Sequence, residues 1–285
     1  MGGLEQRHAV ADVRAGGNAH AAHFGSDGVA IARKVAEALK WDLFDDTQFH
    51  ELIERQGIST REIHQLSEKS PGYWELFYKN RPQVFLNVVE SVVLEAAKQG
   101  DGVIVGYGSQ ILLRDFDCAM HVRIHDSETH RAERLASSQG LSREAAVKLI
   151  RRRDKEQAGF YKFAFQLDID DFTLYDLVIH TQKLNADTAA GLIVAAARSD
   201  DIRTCSLNAL EAMERLALEK KIQAALLENR IDACTILVEV GDNGVASVAG
   251  VCPNAEDKKR IERIVGGVGG VSGVVSAVQV VKGAV

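Results

Sequence analysis

A short glycine-containing stretch, HFGSDGVAIA at residues 23–32, has the residue types of a loop that binds phosphate. Loops of this kind attract an anion because the helix that follows offers free backbone amides and a partial positive charge. Apolar residues recur at helical spacing from Gly28 onward, which predicts a helix over residues 28–39. Ser26 and Asp27 are also residue types that cap helices with their own side chains. The stretch therefore predicts either an anion-binding loop or a capped turn.

Basic side chains are concentrated in RRRDK, residues 151–155, on a predicted long helix. They could hold a phosphate group, or they could form a solvated face with ion pairs to neighbouring acids at helical spacing. No metal site is predicted, because His20 and His23 lack clustered acidic partners. The acidic residues at 168–171 do not match the spacing of a calcium loop either.

The elements that must position these residues alternate between helix and strand along the first part of the chain. Apolar runs at 103–106, 118–124 and 176–181 are typical of buried parallel strands, and amphipathic helices separate them. This alternation predicts a three-layer α/β/α domain around a parallel sheet. The composition shifts near residues 199–206, and the pattern that follows predicts a small α+β domain of order α-β-β-α-β. We therefore expect a flexible N-terminal arm at 1–19, a first domain at 20–200 and a second domain at 201–285.

Several stretches of the chain carry a family resemblance. In the first domain they are GSDGVAIARKVAEALKWDLFDD, VIVGYGSQILLRD, HVRIHDSETHRAERL, LSREAAVKLIRRRDKEQAGFYK and LYDLVIHTQKLN. Through them, residues 20–198 resemble the cytidylate kinase-like family of nucleoside monophosphate kinases, which have a P-loop fold. Residues 206–285 resemble a BON domain, through Gly244, Gly250 and the ending GGVGGVSGVVSAVQVV. The two resemblances imply a parallel sheet of the P-loop kinase type followed by an αββαβ module.

The kinase resemblance implies a ligand site at the carboxyl ends of the parallel strands. The residues that it implies there, as binders of a nucleotide or another anion, are Gly25, Ser26, Gly28, Asp45, Gly106, Tyr107, Gly108, Arg131, Arg153 and Lys155. Charged groups that the family uses are missing, because Gly28 falls at the position of the Walker A lysine and Ala30 at that of the hydroxyl that holds magnesium. Tyr107 replaces the arginine of the family's G-R-G word, and Gln157 replaces the arginine of its lid signature D-x-x-R.

These replacements have a large expected effect, because one arginine clamp on a transferring phosphoryl group contributes about 10³ to 10⁵ in rate, on the order of 4 to 7 kcal/mol. The leading interpretation is a degenerate cytidylate kinase-like protein, a pseudokinase that binds a nucleotide or anion for regulation or assembly. An active nucleoside monophosphate kinase is the enzyme alternative, and only it implies ATP and Mg²⁺ as cofactors. A third alternative places the function in the BON-like domain, as homo-oligomerisation or binding to a membrane surface.

The composition of the chain limits the binding partners and the cellular compartment that we expect. The chain is 46% apolar and 26% charged, which is typical of a soluble globular protein. Its net charge of −6 creates no field that would gather nucleic acid or anionic lipid, so no nucleic acid partner is expected and membrane contact is disfavoured. The chain shows neither a signal-peptide pattern nor a run of about 18 apolar residues. Its four cysteines form no recognisable zinc or disulfide framework, and together these features predict a cytoplasmic protein.

Overall fold

The computed structural model describes residues 9–11, 25–55, 82–200, 202, 207–231 and 235–281. The chain forms two compact units. The first unit comprises Met1–Glu51 and Gln99–Ser206, and the second comprises Leu52–Lys98 and Leu207–Val285. In chain order the elements are β1 (Ala9–Ala11), α1 (Gly28–Leu39), β2 (Asp42–Phe44), α2 (Asp46–Arg55), α3 (Pro82–Lys98), β3 (Gly102–Ile104), α4 (Ser109–Leu112), β4 (Val122–His125), α5 (Glu128–Gln139), α6 (Arg143–Phe165), β5 (Leu177–His180), α7 (Ala186–Ala197), α8 (Leu207–Glu228), β6 (Ile236–Val240), β7 (Val245–Cys252), α9 (Ala255–Gly266) and β8 (Gly273–Val280).

The strands of the first unit pair in parallel. β1, β3 and β2 are neighbours in that order, and β4 pairs with β5 from Val122 and Leu177 to His125 and His180. Parallel strands joined through helices confirm the predicted α/β class. β1 lies within residues 1–19, the range predicted to be a flexible arm, and the bounds of that arm stay a prediction. A three-residue strand shows no alternation of its own, so its pairing with β3 defines it.

Helix α1 carries the apolar stripe that holds this unit together, and its bounds confirm the helix predicted over residues 28–39. Ile31 and Val35 have no exposed surface. They share one core with buried residues of the strands and of α7, namely Val103, Val122, Ile124, Ile179 and Ile193. Because side chains alternate along a strand, the neighbours of Val122 and Ile124 point to the opposite face of β4. Arg123 and His125 therefore lie outside this core.

The second unit contains the module that was predicted from residue 201 onward. Its elements run α8, β6, β7, α9 and β8, which confirms the predicted order α-β-β-α-β. β6 and β7 are antiparallel and are joined by a turn at residues 241–244, whereas β7 and β8 are parallel. Residues from both helices and all three strands form the core, among them Ile222, Leu226, Ile236, Val248, Ile261, Val265 and Val278.

Helix α3 packs against α8 within this second unit. The buried Ser91 Oγ donates a hydrogen bond to the carbonyl of Ala217 at 2.9 Å, and Lys220 Nζ lies 2.6 Å from a carboxylate oxygen of Glu90. The residues of α3 lie within the predicted first domain, because the amphipathic pattern of a helix does not identify which element covers it. The boundaries at 20–200 and 201–285 remain a prediction.

The two cysteines that the structure describes differ in their chemical state. Cys118 is disulfide-bonded and Cys252 is a buried free thiol, which differs from the expectation of no disulfide. Disulfide formation depends on the distance between two cysteines in the fold, which their spacing in the sequence does not reveal. Among the helices of the described residues, none combines the length and the apolar content needed to cross a bilayer.

Candidate functional site

The loop from Gly25 to Gly28 opens helix α1. Gly25 has a φ of +87°, and a β-carbon there would lie 3.4 Å from the carbonyl oxygen of Arg131. Ser26 is completely buried, and its hydroxyl has no hydrogen-bond partner in the described part of the chain. Asp27 is the N-cap residue by position, with φ 60° and ψ 8°, but its side chain makes no capping hydrogen bond. The structure therefore does not support the capped turn, and the first amides of α1 remain uncapped by that carboxylate.

The carboxylate of Asp27 instead meets a cation from helix α5. Arg134 Nη1 lies 2.6 Å from Asp27 Oδ2, and Arg134 Nη2 lies 2.6 Å from Asp126 Oδ2. Asp126 follows β4 directly, has no exposed surface and accepts a hydrogen bond from the amide of Ser127 at 2.7 Å. His130 Nδ1 lies 2.6 Å from the same carboxylate. One arginine thus links the loop to the carboxyl end of a parallel strand.

Sequence reasoning missed Arg134 and Asp126. Arg134 lies three residues after Arg131 on one helix, and this spacing puts the two on neighbouring positions of the same face. Ser127 caps that helix, since its hydroxyl accepts a hydrogen bond from the amide of His130 at 3.3 Å. The helical spacing from Arg131 was the available signal for Arg134. No signal in the sequence indicates that a buried carboxylate anchors it.

Arg131, one of the predicted site residues, is held by an acidic residue of the protein. Its side chain is 4% exposed, and its two terminal nitrogens donate hydrogen bonds to the two carboxylate oxygens of Asp154 at 2.9 and 2.8 Å. This bidentate geometry is the strong form of an arginine–carboxylate pair. Asp154 belongs to α6, so the pair joins α5 to the basic helix. The structure brings Arg131 next to Gly25 but pairs its charge with an acid of the same protein.

The basic residues of α6 are paired in the same manner. Arg153 Nη1 donates to Glu156 at 3.2 Å, and Arg152 Nε lies 3.6 Å from the same side chain. Arg151 makes a bidentate contact with Glu128 of α5, which lowers the pKa of the Glu128 carboxyl and raises the pKa of Arg151. Lys155 is exposed. These contacts fit the interpretation of residues 151–155 as a face of ion pairs better than that of a phosphate clamp.

The segment Gly106, Tyr107 and Gly108 places an aromatic ring where the family has an arginine. All three residues have positive φ, and the ring of Tyr107 is buried with its centroid 4.2 Å from that of Phe49. A β-carbon on Gly108 would lie 2.5 Å from ring atoms of Phe165, so no other residue fits without movement. The segment packs against the start of α2 and the end of α6, and it provides no positively charged side chain.

Asp45 also has a local structural role. Its carboxylate accepts a hydrogen bond from the amide of Thr47 at 2.9 Å, and its carbonyl accepts one from the amide of Phe49. These bonds hold the first turn of α2. Arg33 is 4.0 Å from the Asp45 carboxylate, at the limit of an ion pair. The contacts seen here assign Asp45 to the helix start.

Two histidines lie side by side at the carboxyl ends of β4 and β5. The rings of His125 and His180 have centroids 5.2 Å apart in an edge contact. Burial lowers the pKa of His125, and the positive charges of Arg123 and Arg131 lower it further. The neutral imidazole is therefore favoured near neutral pH, and His125 adds no positive charge to this end of the sheet.

The residues present do not fit a magnesium-bound nucleotide of the kind the fold implies. Ala30 has no oxygen to offer at the position of the magnesium-holding hydroxyl. Within the residues described, no group of three or more His, Cys, Asp or Glu could hold a metal ion. The uncapped amides, the buried hydroxyl of Ser26 and the nearby guanidinium of Arg134 do fit a simple anion.

A parallel α/β unit with a glycine loop opening its first long helix, followed by an αββαβ module, defines the class as a P-loop kinase fold with a second domain. The model of the Cytidylate kinase-like family matches residues 21–183, and the chain belongs to that family. The model of the BON domain matches residues 216–282.

Individual relatives are similar to the first part of the chain. A cytidylate kinase from Pyrobaculum calidifontis is 28% identical over 163 residues, which cover 56% of this chain and 81% of that protein. A cytidylate kinase from Methanothrix thermoacetophila is 27% identical over 177 residues, which cover 61% of this chain and 94% of that protein. Among solved structures, an uncharacterized protein from Eubacterium ventriosum aligns with a TM-score of 0.49 at 19% identity, covering 67% of this chain and 98% of that one.

Proposed function

We propose that the kinase-like domain is degenerate, binding a nucleotide or another anion at the loop Gly25–Gly28 and transferring little or no phosphate. In this proposal the protein is a pseudokinase, and the BON domain serves regulation or assembly. A cytoplasmic location stays part of the proposal. The relatives named cytidylate kinase support a nucleotide as the ligand.

The pairing of Arg131 with Asp154 is the observation that carries this proposal. An arginine that acts on a transferring phosphoryl group contributes about 4 to 7 kcal/mol. Breaking a buried ion pair costs about 3 to 5 kcal/mol, and this pair is buried on the arginine side. If Arg131 left Asp154 to bind a phosphate, the cost of breaking the ion pair would therefore offset most of the catalytic stabilisation that Arg131 could provide. The cation supplied by Arg153 is likewise engaged, by Glu156.

Steady-state kinetics on the full chain test the proposal. ATP and Mg²⁺ are supplied with each nucleoside monophosphate in turn, and nucleotide binding is followed in parallel by the shift in melting temperature. We expect ATP to raise the melting temperature while turnover stays at least about a hundredfold below the value of about 1 s⁻¹ at the low end for kinases. Turnover near 1 s⁻¹ with any acceptor would contradict the proposal.

The active-kinase alternative makes a separate prediction within the same assay. It requires Arg153 to reach the phosphates, so Arg153→Ala should abolish turnover. Arg152→Ala is the matched control, because Arg152 is its neighbour on α6, also lies near Glu156 and is more exposed. Equal effects of the two substitutions would exclude a specific role of Arg153.

Homo-oligomerisation through the BON domain is a second candidate, favoured by one surface. Leu237 is 60% exposed and Val275 is 58% exposed. The strand register puts them on the same face as Ala249 and Ala277. Leu237 lies in one row with the two alanines, and Val275 lies in the next row with Ser247 and Glu239. A second copy could cover the exposed apolar side chains of this mixed face. Binding of this face to a membrane surface is the competing interpretation.

A further inference from the structure

Asp27 and Arg134 form an ion pair at the start of helix α1. Arg134 Nη1 lies 2.6 Å from Asp27 Oδ2, with the Asp27 side chain 51% exposed and the Arg134 side chain 22% exposed. The N-terminus of a helix favours negative charge, and in this protein the charge of Asp27 is already there. Asp27 therefore takes the position that an anionic ligand of the loop would take toward Arg134.

The backbone and the hydroxyl of the loop are not used by this ion pair. Asp27 has the left-handed φ of 60°, and its carboxylate accepts no capping hydrogen bond from α1. The fully buried Ser26 hydroxyl lacks a partner among the residues that the structure describes. A buried polar group without a partner is unfavourable unless a ligand or water satisfies it. The loop thus keeps hydrogen-bond donors for an anion, whereas the cation beside it, Arg134, is paired with Asp27.

Arg134 would stay in place if Asp27 moved away. Its second terminal nitrogen, Nη2, lies 2.6 Å from Asp126 Oδ2, and Asp126 is fully buried and anchored by the amide of Ser127. Among the residues that the structure describes, Asp27, Asp126 and His130 contact Arg134. The two carboxylates and the one guanidinium sum to a formal charge of −1, which opposes the approach of a phosphate group. Neutralising Asp27 brings that sum to zero.

We infer that Arg134 is an anion-binding residue of the loop and that Asp27 is its internal competitor, which holds Nη1 until the phosphate group of a ligand displaces it. The inference rests on the proposed function, because it names how binding at that same loop is regulated. The ligand chemistry is a phosphate group, carried by a nucleotide or by a free phosphomonoester.

Isothermal titration of the full chain with ATP, without magnesium, tests the inference. Inorganic phosphate as a second titrant separates recognition of the nucleoside from recognition of the phosphate alone. We expect Asp27→Asn to bind ATP about tenfold more tightly than the wild type, since it removes both the competing pair and one repelling charge. Asparagine also tolerates the left-handed conformation of residue 27. The double variant Asp27→Asn with Arg134→Met should lose this gain.

Glu133→Gln is the matched control, since it removes one negative charge next to Arg134 on α5 without touching Asp27. Glu133 is exposed and its nearest described cation is Arg143 at 3.8 Å. Its affinity for ATP should stay within about twofold of the wild type, as expected for a screened surface charge. Equal gains in Glu133→Gln and Asp27→Asn, or wild-type affinity in Asp27→Asn, would overturn the inference and leave the proposed function standing. Failure of every variant and the wild type to bind ATP would overturn the proposed function as well.

Discussion

Tyr107 lies in the turn between β3 and α4, and its ring packs inside the protein. A left-handed conformation costs a residue with a β-carbon about 1 to 2 kcal/mol. Tyr107 adopts it with φ 61°, and the contact of its buried ring with Phe49 offsets that cost. An arginine in this conformation would have to bury its charge or leave the contact. The aromatic residue therefore stabilises this turn by packing.

Gly108 allows a direct test of this packed turn. We expect Gly108→Ala to destabilise the protein by about 1 to 2 kcal/mol through its φ of +75°. A further loss of about 1 to 3 kcal/mol should follow from overlap with the ring of Phe165. Gly140→Ala is the control, because Gly140 has a φ of +65° but a β-carbon there would meet nothing within 4 Å. Equal losses for the two variants in equilibrium chemical unfolding would contradict a closely packed Gly108.

The sequence does not reveal the partners of the residues that it predicts for the site. Gly25 and Arg131 stay predicted binding residues, and the structure places them next to each other. The pairing of Arg131 with Asp154 links residues 23 positions apart on two helices, and no local pattern encodes which acid will meet which base. Arg134 was missed for the same reason, since its environment is set by Asp27 and Asp126, which precede it on other segments.

Helices α3 and α8 show the same limit at the scale of elements. Periodicity predicted both helices and the αββαβ order, because each element has an apolar face of recognisable spacing. The periodicity of apolar residues does not show which two helix faces pack against each other. The ion pair of Lys98 with Glu214, at 3.2 Å, and the hydrogen bond from Ser91 to Ala217 determine the alignment of α3 on α8. The strand β1 escaped prediction because three residues carry no period.

Ala217 tests the contact between these two helices. It is 2% exposed, so Ala217→Asp would bury an unpaired carboxylate between α8 and α3. We expect a loss of about 3 kcal/mol or more in the free energy of unfolding. Leu216→Asp is the control, because it introduces the same residue at the preceding position of the helix, where the side chain is 37% exposed. It should lower the free energy of unfolding by less than about 1 kcal/mol. Similar losses would show that α3 does not cover Ala217 in solution.

At the scale of the whole molecule, the exposed Leu237 and Val275 of the BON domain make self-association testable. We expect sedimentation velocity to show a dimer that weakens at least about tenfold in Val275→Lys, because the new charge would be buried in the interface. Val178→Lys is the control, since it adds the same charge to an exposed strand valine of the first unit. A wild-type chain that stays monomeric at high micromolar concentration would remove this candidate, and co-sedimentation with anionic vesicles would favour the membrane interpretation.

Ser91 and Ala217 are in contact in the folded protein, but the ribosome synthesises them at different times. The two residues are 126 positions apart. At a synthesis rate of about 5 to 20 residues per second, α3 leaves the ribosome roughly 6 to 25 s before the helix that covers it. Val88 and Leu94 lie three residues either side of Ser91 on the same helix face and are buried in the finished fold, and they would spend that interval without α8. Chaperones that bind apolar segments would thus find their site on α3 and would lose it when α8 is complete.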